Sequence, residues 1–234
     1  MAMRSPGKVE YILPNGWAAP YADGDINGPW LFNYTTGSIT NADTPGGAFA
    51  LVGTAAESDI MEILGPLVFE VDAGLPITVE AEIQVQTDAS TAAAVFFGFT
   101  DRRDKTEEPA IEDEDGTLES DATDALGIML EAEQDATWQA VSVANGTDGA
   151  QTPLTDAADY VVGTWQKLQV SIVRNIDGVA QAEFYIDGKK LSHTRTAAVT
   201  SSVRLAPVIT LDERNAAVTV WVRNLRALGP GAES

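Results

Sequence analysis

Apolar and polar residues alternate along several short stretches of the chain. In Ile77–Gln86 the sequence reads ITVEAEIQVQ, with an apolar side chain at every second position. Successive side chains of a strand point to opposite faces of its sheet, so this stretch predicts a strand with one face in a core and the other in water. The same alternation predicts strands at Leu168–Ile172, Ala182–Ile186 and Val218–Val222.

Other stretches are apolar at nearly every position, which predicts strands covered on both faces. They are Ala94–Phe99, Ala125–Leu130 and Trp138–Val143. The pair Asp187-Gly188 follows a predicted strand directly and is typical of a tight hairpin turn. No long window carries the periodicity of a helix. The sequence therefore predicts an all-β protein, an antiparallel two-sheet sandwich with an irregular N-terminal arm.

Composition divides the chain into three parts. Residues 1–50 are rich in Gly, Pro and Asn and carry irregularly spaced aromatic residues, which predicts an arm or docking segment. Residues 51–228 hold the predicted strands of the sandwich, and residues 229–234 form a polar tail. Aromatic residues in a loop-rich segment commonly anchor it to a surface. Four of them are candidate interface or ligand residues: Trp17, Tyr21, Trp30 and Phe32.

The charge of the chain restricts its partners. Fourteen basic residues stand against 35 acidic ones, a net charge of −21 in 234 residues. Binding of phosphate backbones requires clustered Lys and Arg, so we expect no nucleic-acid partner. The chain contains no run of roughly 18 consecutive apolar residues, which a membrane span would need, so we expect no membrane insertion. A surface this acidic fits either a saline source or an ordinary acidic protein.

Motifs for catalysis are absent from the sequence. There is no cysteine and a single histidine, His193, and there is no G-x-S-x-G, H-E-x-x-H or phosphate-loop pattern. The run Glu112–Asp115 lies in a polar loop without apolar alternation, whereas Glu80 and Glu82 alternate on the wet face of a strand. Glycoside cleavage requires two carboxylates across a cleft, and no spacing here demands that arrangement. We expect that the protein is not an enzyme.

The segment from Asp101 to Ala125 holds eleven acids and predicts a solvated loop. Its Asp-x-Asp-Gly resembles the middle of a calcium loop, although Ile111 and Ala122 stand where outer ligands belong. The alternatives are an unliganded acidic loop and a calcium site. The candidate calcium ligands are Asp113, Asp115, Asp121 and Asp124.

Two tryptophans fall out of register with the apolar residues around them. Trp221 lies between Val220 and Val222, so it faces away from the core if the two valines face into it. Trp138 is likewise out of step with its neighbours. Each could be a sugar platform, an aromatic anchor for a protein interface, or a residue covered by a loop of the same chain.

Several segments together resemble a concanavalin A-like (laminin G-like) jelly-roll domain. The resemblance rests on GTWQKLQV from Gly163, AQAEFYIDG from Ala180 and the closing TVWVRNLRAL from Thr219. Upstream, FFGFTD, DALGIMLEAE and WQAVSVANGTDG are similar to a variant found in structural proteins of tailed viruses. The resemblance covers residues 65–228, and domains of this kind often hold calcium at the rim of the sandwich.

The resemblance implies a virion structural accessory protein, such as a capsid decoration, turret or fibre-base subunit. Its partners would be capsid or other virion proteins, and it would assemble as a homo-oligomer of three or five copies. The alternative is a carbohydrate-binding module or lectin of the same fold that recognises a host-surface glycan, and a glycoside hydrolase has the least support. Residues 1–17 lack the apolar stretch of a secretion signal, so we expect assembly in a host cytoplasm and a place in the virion.

Overall fold

The computed structural model of the chain describes fifteen stretches of residues, and these contain β-strands and no helix. None of the described residues therefore forms a helix that could cross a membrane. The described stretches are 8–13, 26–27, 29–55, 59–71, 75–86, 93–103, 109–114, 117–131, 137–149, 152–153, 159–174, 179–196, 198–200, 203–213 and 217–230.

The strands are numbered in chain order. They are β1 (Lys8–Ile12), β2 (Ile26–Asn27), β3 (Trp30–Tyr34), β4 (Ser38–Ala42), β5 (Ala48–Val52), β6 (Asp59–Leu64), β7 (Phe69–Glu70), β8 (Ile77–Val85), β9 (Ala93–Thr100), β10 (Glu112–Glu114), β11 (Thr117–Glu119), β12 (Ala125–Glu131), β13 (Trp138–Ala144), β14 (Thr147–Asp148), β15 (Thr152–Pro153), β16 (Gln166–Arg174), β17 (Ala180–Ile186), β18 (Lys189–Thr196), β19 (Arg204–Glu213) and β20 (Thr219–Pro230).

Two large antiparallel sheets contain most of these strands. The eight-stranded sheet has the order β18-β17-β16-β8-β20-β5-β4, with β1 paired to the far end of β20. The ten-stranded sheet has the order β14-β13-β12-β9-β19-β6-β3-β2, with β15 paired to β13 and β7 to β19. The short strands β10 and β11 form a separate hairpin. The predicted all-β, antiparallel two-sheet sandwich is confirmed.

The inner faces of the two sheets enclose the main core. In β8 the alternate residues Ile77, Val79 and Ile83 are buried, and they pack in one cluster with Phe97 of β9 and Phe184 of β17. Because β8 alternates buried and partly exposed positions over its first six residues, its polar residues lie on the outer face. All seven predicted strands are present.

The predicted hairpin after β17 is also confirmed. Asp187 has φ of 51° and Gly188 has φ of 77°, and Ile186 pairs directly with Lys189 across the two-residue loop. Two positive φ angles in succession define the hairpin turn that Asp-Gly favours. The Asp187 carboxylate accepts a 2.8 Å hydrogen bond from the backbone N–H of Lys167, which joins the turn to β16.

The predicted boundary at residue 50 requires correction. Strand β5 runs from Ala48 to Val52 and pairs with β20, so residue 50 lies inside a strand of the eight-stranded sheet. Strand β3 pairs with β6 in the ten-stranded sheet. The described parts of residues 1–50 therefore belong to both sheets. They pair with the backbone groups of β20 and β6, which would otherwise lie unpaired at a sheet edge. Strand β20 likewise extends through Gly229 and Pro230 of the predicted tail.

Candidate binding face

Two tryptophan rings lie side by side on the outer face of the eight-stranded sheet. Val220 and Val222 are fully buried, and Trp221 between them points outward and is partly exposed. Its ring centre is 6.5 Å from that of Trp165, with the planes tilted by 39°. Trp165 immediately precedes β16, and Gln84 of β8 lies opposite Trp221. The outward orientation predicted for Trp221 is confirmed.

Arg223 and Glu82 hold the rings in place. The Arg223 guanidinium lies 4.1 Å from the centre of the Trp165 ring. Its Nε and Nη2 atoms contact Glu82 Oε2 at 2.7 and 2.6 Å. Asn224 donates from Nδ2 to the other Glu82 oxygen at 2.8 Å. Partial burial works to raise the pKa of Glu82, but these hydrogen bonds outweigh it and the pKa lies below the usual glutamate value.

Asn224 lies at a β-bulge that shapes the surface beside the rings. The pairing of β20 with β8 shifts register between Arg223 and Arg226, and Asn224 adopts a positive φ of 55°. A bulge bends its strand away from the ladder. A pocket of about 320 Å³ lies here, lined by Ile12, Glu80, Ala81, Glu82, Lys167, Asn224 and Arg226.

Charged side chains of both signs surround this pocket. Glu80 Oε1 binds Arg226 Nε at 2.5 Å and Lys167 Nζ at 3.1 Å. Further along the sheet, Lys190 Nζ contacts Glu183 at 2.6 Å, and the Tyr185 hydroxyl donates to the other Glu183 oxygen at 2.7 Å. These hydrogen bonds from Lys190 and Tyr185 lower the pKa of Glu183.

We call this surface the balanced face, because its described charged side chains are four acids and four bases. Its charged members are Glu10, Glu80, Glu82, Glu183, Lys167, Lys190, Arg223 and Arg226, and its other members are Ile12, Trp165, Tyr185, Trp221 and Asn224. These described side chains have no net charge, whereas the chain as a whole carries −21.

The outer face of the ten-stranded sheet is covered by the chain itself. Residues Ala110, Ile111, Leu118 and Ala122 are buried against this sheet in a second apolar cluster. On the sheet they meet Leu64, Phe96, Met129, Val141, Val143 and Val208. The stretch from Asp101 to Ala125 was predicted to be a solvated loop. Its described residues 109–114 and 117–122 are called segment 109–122 here. These four residues correct that prediction, because their apolar side chains leave water by packing on the sheet.

A buried carboxylate joins this segment to the sheet. Glu62 of β6 has no exposed surface, and its oxygens accept from Asn33 Nδ2 at 3.2 Å and Thr210 Oγ1 at 3.1 Å. Arg102 Nη2 lies 3.6 Å from Glu62, and Arg102 Nη1 donates to the Pro109 carbonyl at 3.1 Å. Burial raises the pKa of Glu62, and the Arg102 charge opposes that effect.

The other aromatic candidates have different places in the structure. Trp30, Phe32 and Trp138 are at most 1% exposed and belong to the main core, so the prediction that they form a surface for a partner is corrected. Trp138 donates from Nε1 to Gln166 Oε1 at 3.1 Å, because β13 is covered on both faces and its indole N–H needs a partner inside the protein. Trp17 and Tyr21 lie outside the described residues.

Of the four candidate calcium ligands, Asp121 and Asp124 have described side chains, and these two bind different groups of the protein. Asp124 is buried and accepts from the backbone N–H of Thr200, whereas Asp121 is exposed and pairs with Arg102 Nη1 at 3.3 Å. Asp113 belongs to β10, and Asp115 lies outside the described residues. In the part of the chain that is described, no three acidic or histidine side chains group around a common point.

The residues that organise the balanced face had only weak sequence signals. Arg223 and Arg226 follow Trp221 in an alternating strand, and Glu80 and Glu82 alternate on β8. Oppositely charged residues on the outer positions of two strands are candidates for cross-strand pairs once the strands are neighbours. Sequence alone did not indicate that β8 and β20 are adjacent, so these pairs were not predicted.

Comparison with known proteins identifies the fold and no family. No family model and no curated protein matches the chain. Among solved structures, a protein of unknown function from Shewanella oneidensis MR-1 matches with a TM-score of 0.63 and 11% identity, covering 99% of this chain and 90% of that one. Alginate lyase Aly36B matches with a TM-score of 0.54 and 14% identity, covering 98% and 99%.

A third match is the Emp46p carbohydrate recognition domain in its potassium-bound form. Its TM-score is 0.55 with 9% identity, and it covers 86% of this chain and 88% of that one. These neighbours include a carbohydrate recognition domain and a polysaccharide lyase, and their fold is consistent with the concanavalin A-like sandwich that the sequence resembles. At such identities the likeness shows the fold alone. Function does not follow from it, because one fold carries many functions.

Proposed function

We propose that this protein acts by adhesion, without chemistry, as a structural accessory protein of a virion such as a capsid decoration, turret or fibre-base subunit. One observation carries the non-catalytic part: segment 109–122 packs on the outer face of the ten-stranded sheet. Hydrolysis of a glycosidic bond uses two carboxylates that reach the substrate across an open cleft. Glu62, the carboxylate in the middle of this covered face, has no exposed surface and is bound by protein groups.

The resemblance of residues 65–228 to structural proteins of tailed viruses supports the virion setting. A net charge of −21 supports it as well, because like-charged particles repel one another and remain dispersed. In this proposal the partners are other virion proteins and further copies of the chain. Adhesion needs only an accessible surface with anchoring side chains, and the balanced face offers Trp221, Trp165 and Arg223.

Labelling of intact virus particles tests this function. Antibodies raised against the purified chain should decorate particles purified from the source of the sequence, in a regular arrangement visible by electron microscopy. The same purified chain should release no reducing ends or unsaturated products from a panel of polysaccharides. Unlabelled particles would contradict the virion role, and sustained product release would contradict the non-catalytic role.

A carbohydrate-binding module is the second candidate function. The observation in its favour is the partly exposed Trp221 ring, which lies close to a pocket lined by Glu82 and Asn224. Aromatic faces together with a few polar groups are typical of small-ligand sites. A glycan array of the purified chain tests this candidate. Repeating the array with calcium and with a chelator tests the calcium site predicted at Asp113, Asp115, Asp121 and Asp124, since ligand-linked calcium would change the glycan signal.

A further inference from the structure

We infer that the balanced face is the contact surface for a second copy of this chain. The inference rests on the proposed adhesive function and names one of its partners. It follows from three observations about this face: the balance between its acids and bases, its aromatic and arginine anchors, and the mixture of both signs of charge on one surface.

Charge limits where two copies can meet. Two chains of −21 repel each other at any surface that shares the acidic excess. The balanced face carries four acids and four bases, so two such faces approach without net repulsion. The described outer face of the ten-stranded sheet is occupied by segment 109–122. The balanced face is therefore the broad sheet surface on which an equally acidic partner encounters the least repulsion.

The anchors on this face are of the types that dominate protein interfaces. Trp, Tyr and Arg are enriched among the residues that contribute most binding energy. Trp221 and Trp165 are held 6.5 Å apart, and Arg223 is fixed by both Trp165 and Glu82. Side chains already fixed in the free protein lose little conformational entropy on association. Ile12, which is 57% exposed, adds an apolar side chain beside Arg226.

The distribution of charge favours a copy of the same chain as the occupant. In a two-fold contact the same patch meets itself, so each acid can oppose a base only if both signs lie on that patch. Here both signs lie side by side, because Glu183 is next to Lys190 and Glu82 is next to Arg223. A polyanionic partner would find every described base of the face already beside a carboxylate.

Sedimentation equilibrium of the full chain over a concentration series tests the inference. We expect a reversible dimer at about 0.15 M salt that persists at about 1 M salt, since the face has no net charge to screen. Trp221→Ala should weaken dimerisation about 30-fold, as expected for loss of an interface anchor. Leu75→Ala is the matched control, because Leu75 is also exposed but lies off the face, and it should leave the dimer unchanged.

Arg226→Glu separates a contact effect from a folding effect. This variant makes the face acidic, so its dimer should weaken at about 0.15 M salt and recover at about 1 M salt, where repulsion is screened. A variant that merely misfolds would not recover with salt. Circular dichroism of each variant checks that the sandwich is intact.

Three results would overturn the inference. The first is a wild-type chain that stays monomeric at every concentration and salt, and the second is an oligomer that survives Trp221→Ala unchanged. A monomer whose glycan binding is lost in Trp221→Ala would also overturn it, because the face would then bind sugar. Particle labelling by a monomeric chain would leave the proposed function intact while this inference fails. A dimer that labels no particle would retain this inference and reject the virion role.

Discussion

The guanidinium of Arg223 lies 4.1 Å from the centre of the Trp165 ring, which joins β20 to the start of β16 across the intervening strand β8. A cation above an indole ring is attracted by the negative face of the aromatic system. Glu82 lies on that intervening strand and binds the same guanidinium at 2.6 Å. The three side chains therefore connect three neighbouring strands on the outer surface of the sheet.

Arg223→Lys should destabilise the protein by about 1 kcal/mol, because an ammonium can neither place two separate nitrogens against Glu82 nor stack flat on Trp165. The measurement is the free energy of unfolding from urea denaturation. Arg204→Lys is the matched control, since Arg204 is an exposed arginine at the start of β19. Equal effects of the two substitutions would show that the geometry at Arg223 contributes nothing.

Replacement of Glu82 by Gln should reduce the loss of stability in acid. The hydrogen bonds from Arg223 and Asn224 outweigh partial burial and hold the pKa of Glu82 below its usual value of 4.5. A carboxylate with a lowered folded-state pKa contributes stability above its unfolded-state pKa, and that contribution is lost as pH falls through the folded-state pKa. Unfolding free energies measured from pH 7 down to pH 3 should therefore fall less steeply for Glu82→Gln than for the wild type. Parallel profiles would contradict this account.

Two substitutions of Asn224 distinguish the effect of backbone strain on stability from the effect of its hydrogen bond. Asn224→Ala should cost about 1–2 kcal/mol, because alanine tolerates the φ of 55° poorly and cannot donate to Glu82. Asn224→Gly removes the hydrogen bond but relieves the strain, so its cost should be clearly smaller. Thermal denaturation of both variants gives the comparison. If glycine is as costly as alanine, the bulge does not require a positive φ.

The buried Glu62 should affect stability in the opposite pH direction to Glu82. Burial raises the pKa of Glu62 above 4.5, although Arg102 opposes the effect. A raised folded-state pKa gives stability that is present below the unfolded-state pKa and lost as pH rises through the folded-state pKa. Glu62→Gln cannot titrate, so the fall in unfolding free energy above about pH 4.5 should be smaller in this variant than in the wild type.

Truncation of the same residue tests the attachment of segment 109–122. Glu62→Ala should cost about 3 kcal/mol at neutral pH, because it leaves Arg102 buried without this partner. It also removes the acceptor for Asn33 and Thr210. Hydrogen exchange should then increase at Ala110 and Ile111 before it increases in β8. Uniform exchange throughout the sandwich would show that the cluster does not hold this segment specifically.

The alternation of residues along the chain was sufficient to predict the strands. In β8 the apolar residues point into the core and Glu80 and Glu82 point outward, as Ile77–Gln86 indicated. Asp187-Gly188 forms the predicted hairpin, and Trp221 lies outside while Val220 is inside. These features are local: they depend on the period of a strand and on the φ angles that a turn requires. A sequence states such information directly.

Contacts between distant parts of the chain decided the rest. Trp138 is buried because both faces of β13 are covered, and its indole partner Gln166 comes from a strand 28 residues later. The acidic segment around Ile111 covers the outer face of the ten-stranded sheet, because a few apolar residues among its carboxylates pack against apolar residues of that face. Arg223 meets Glu82 across 141 residues only because β20 lies beside β8. The sequence determined which faces of the strands are apolar, whereas the tertiary structure determined which faces meet, because many pairings of similar strands satisfy the same local pattern.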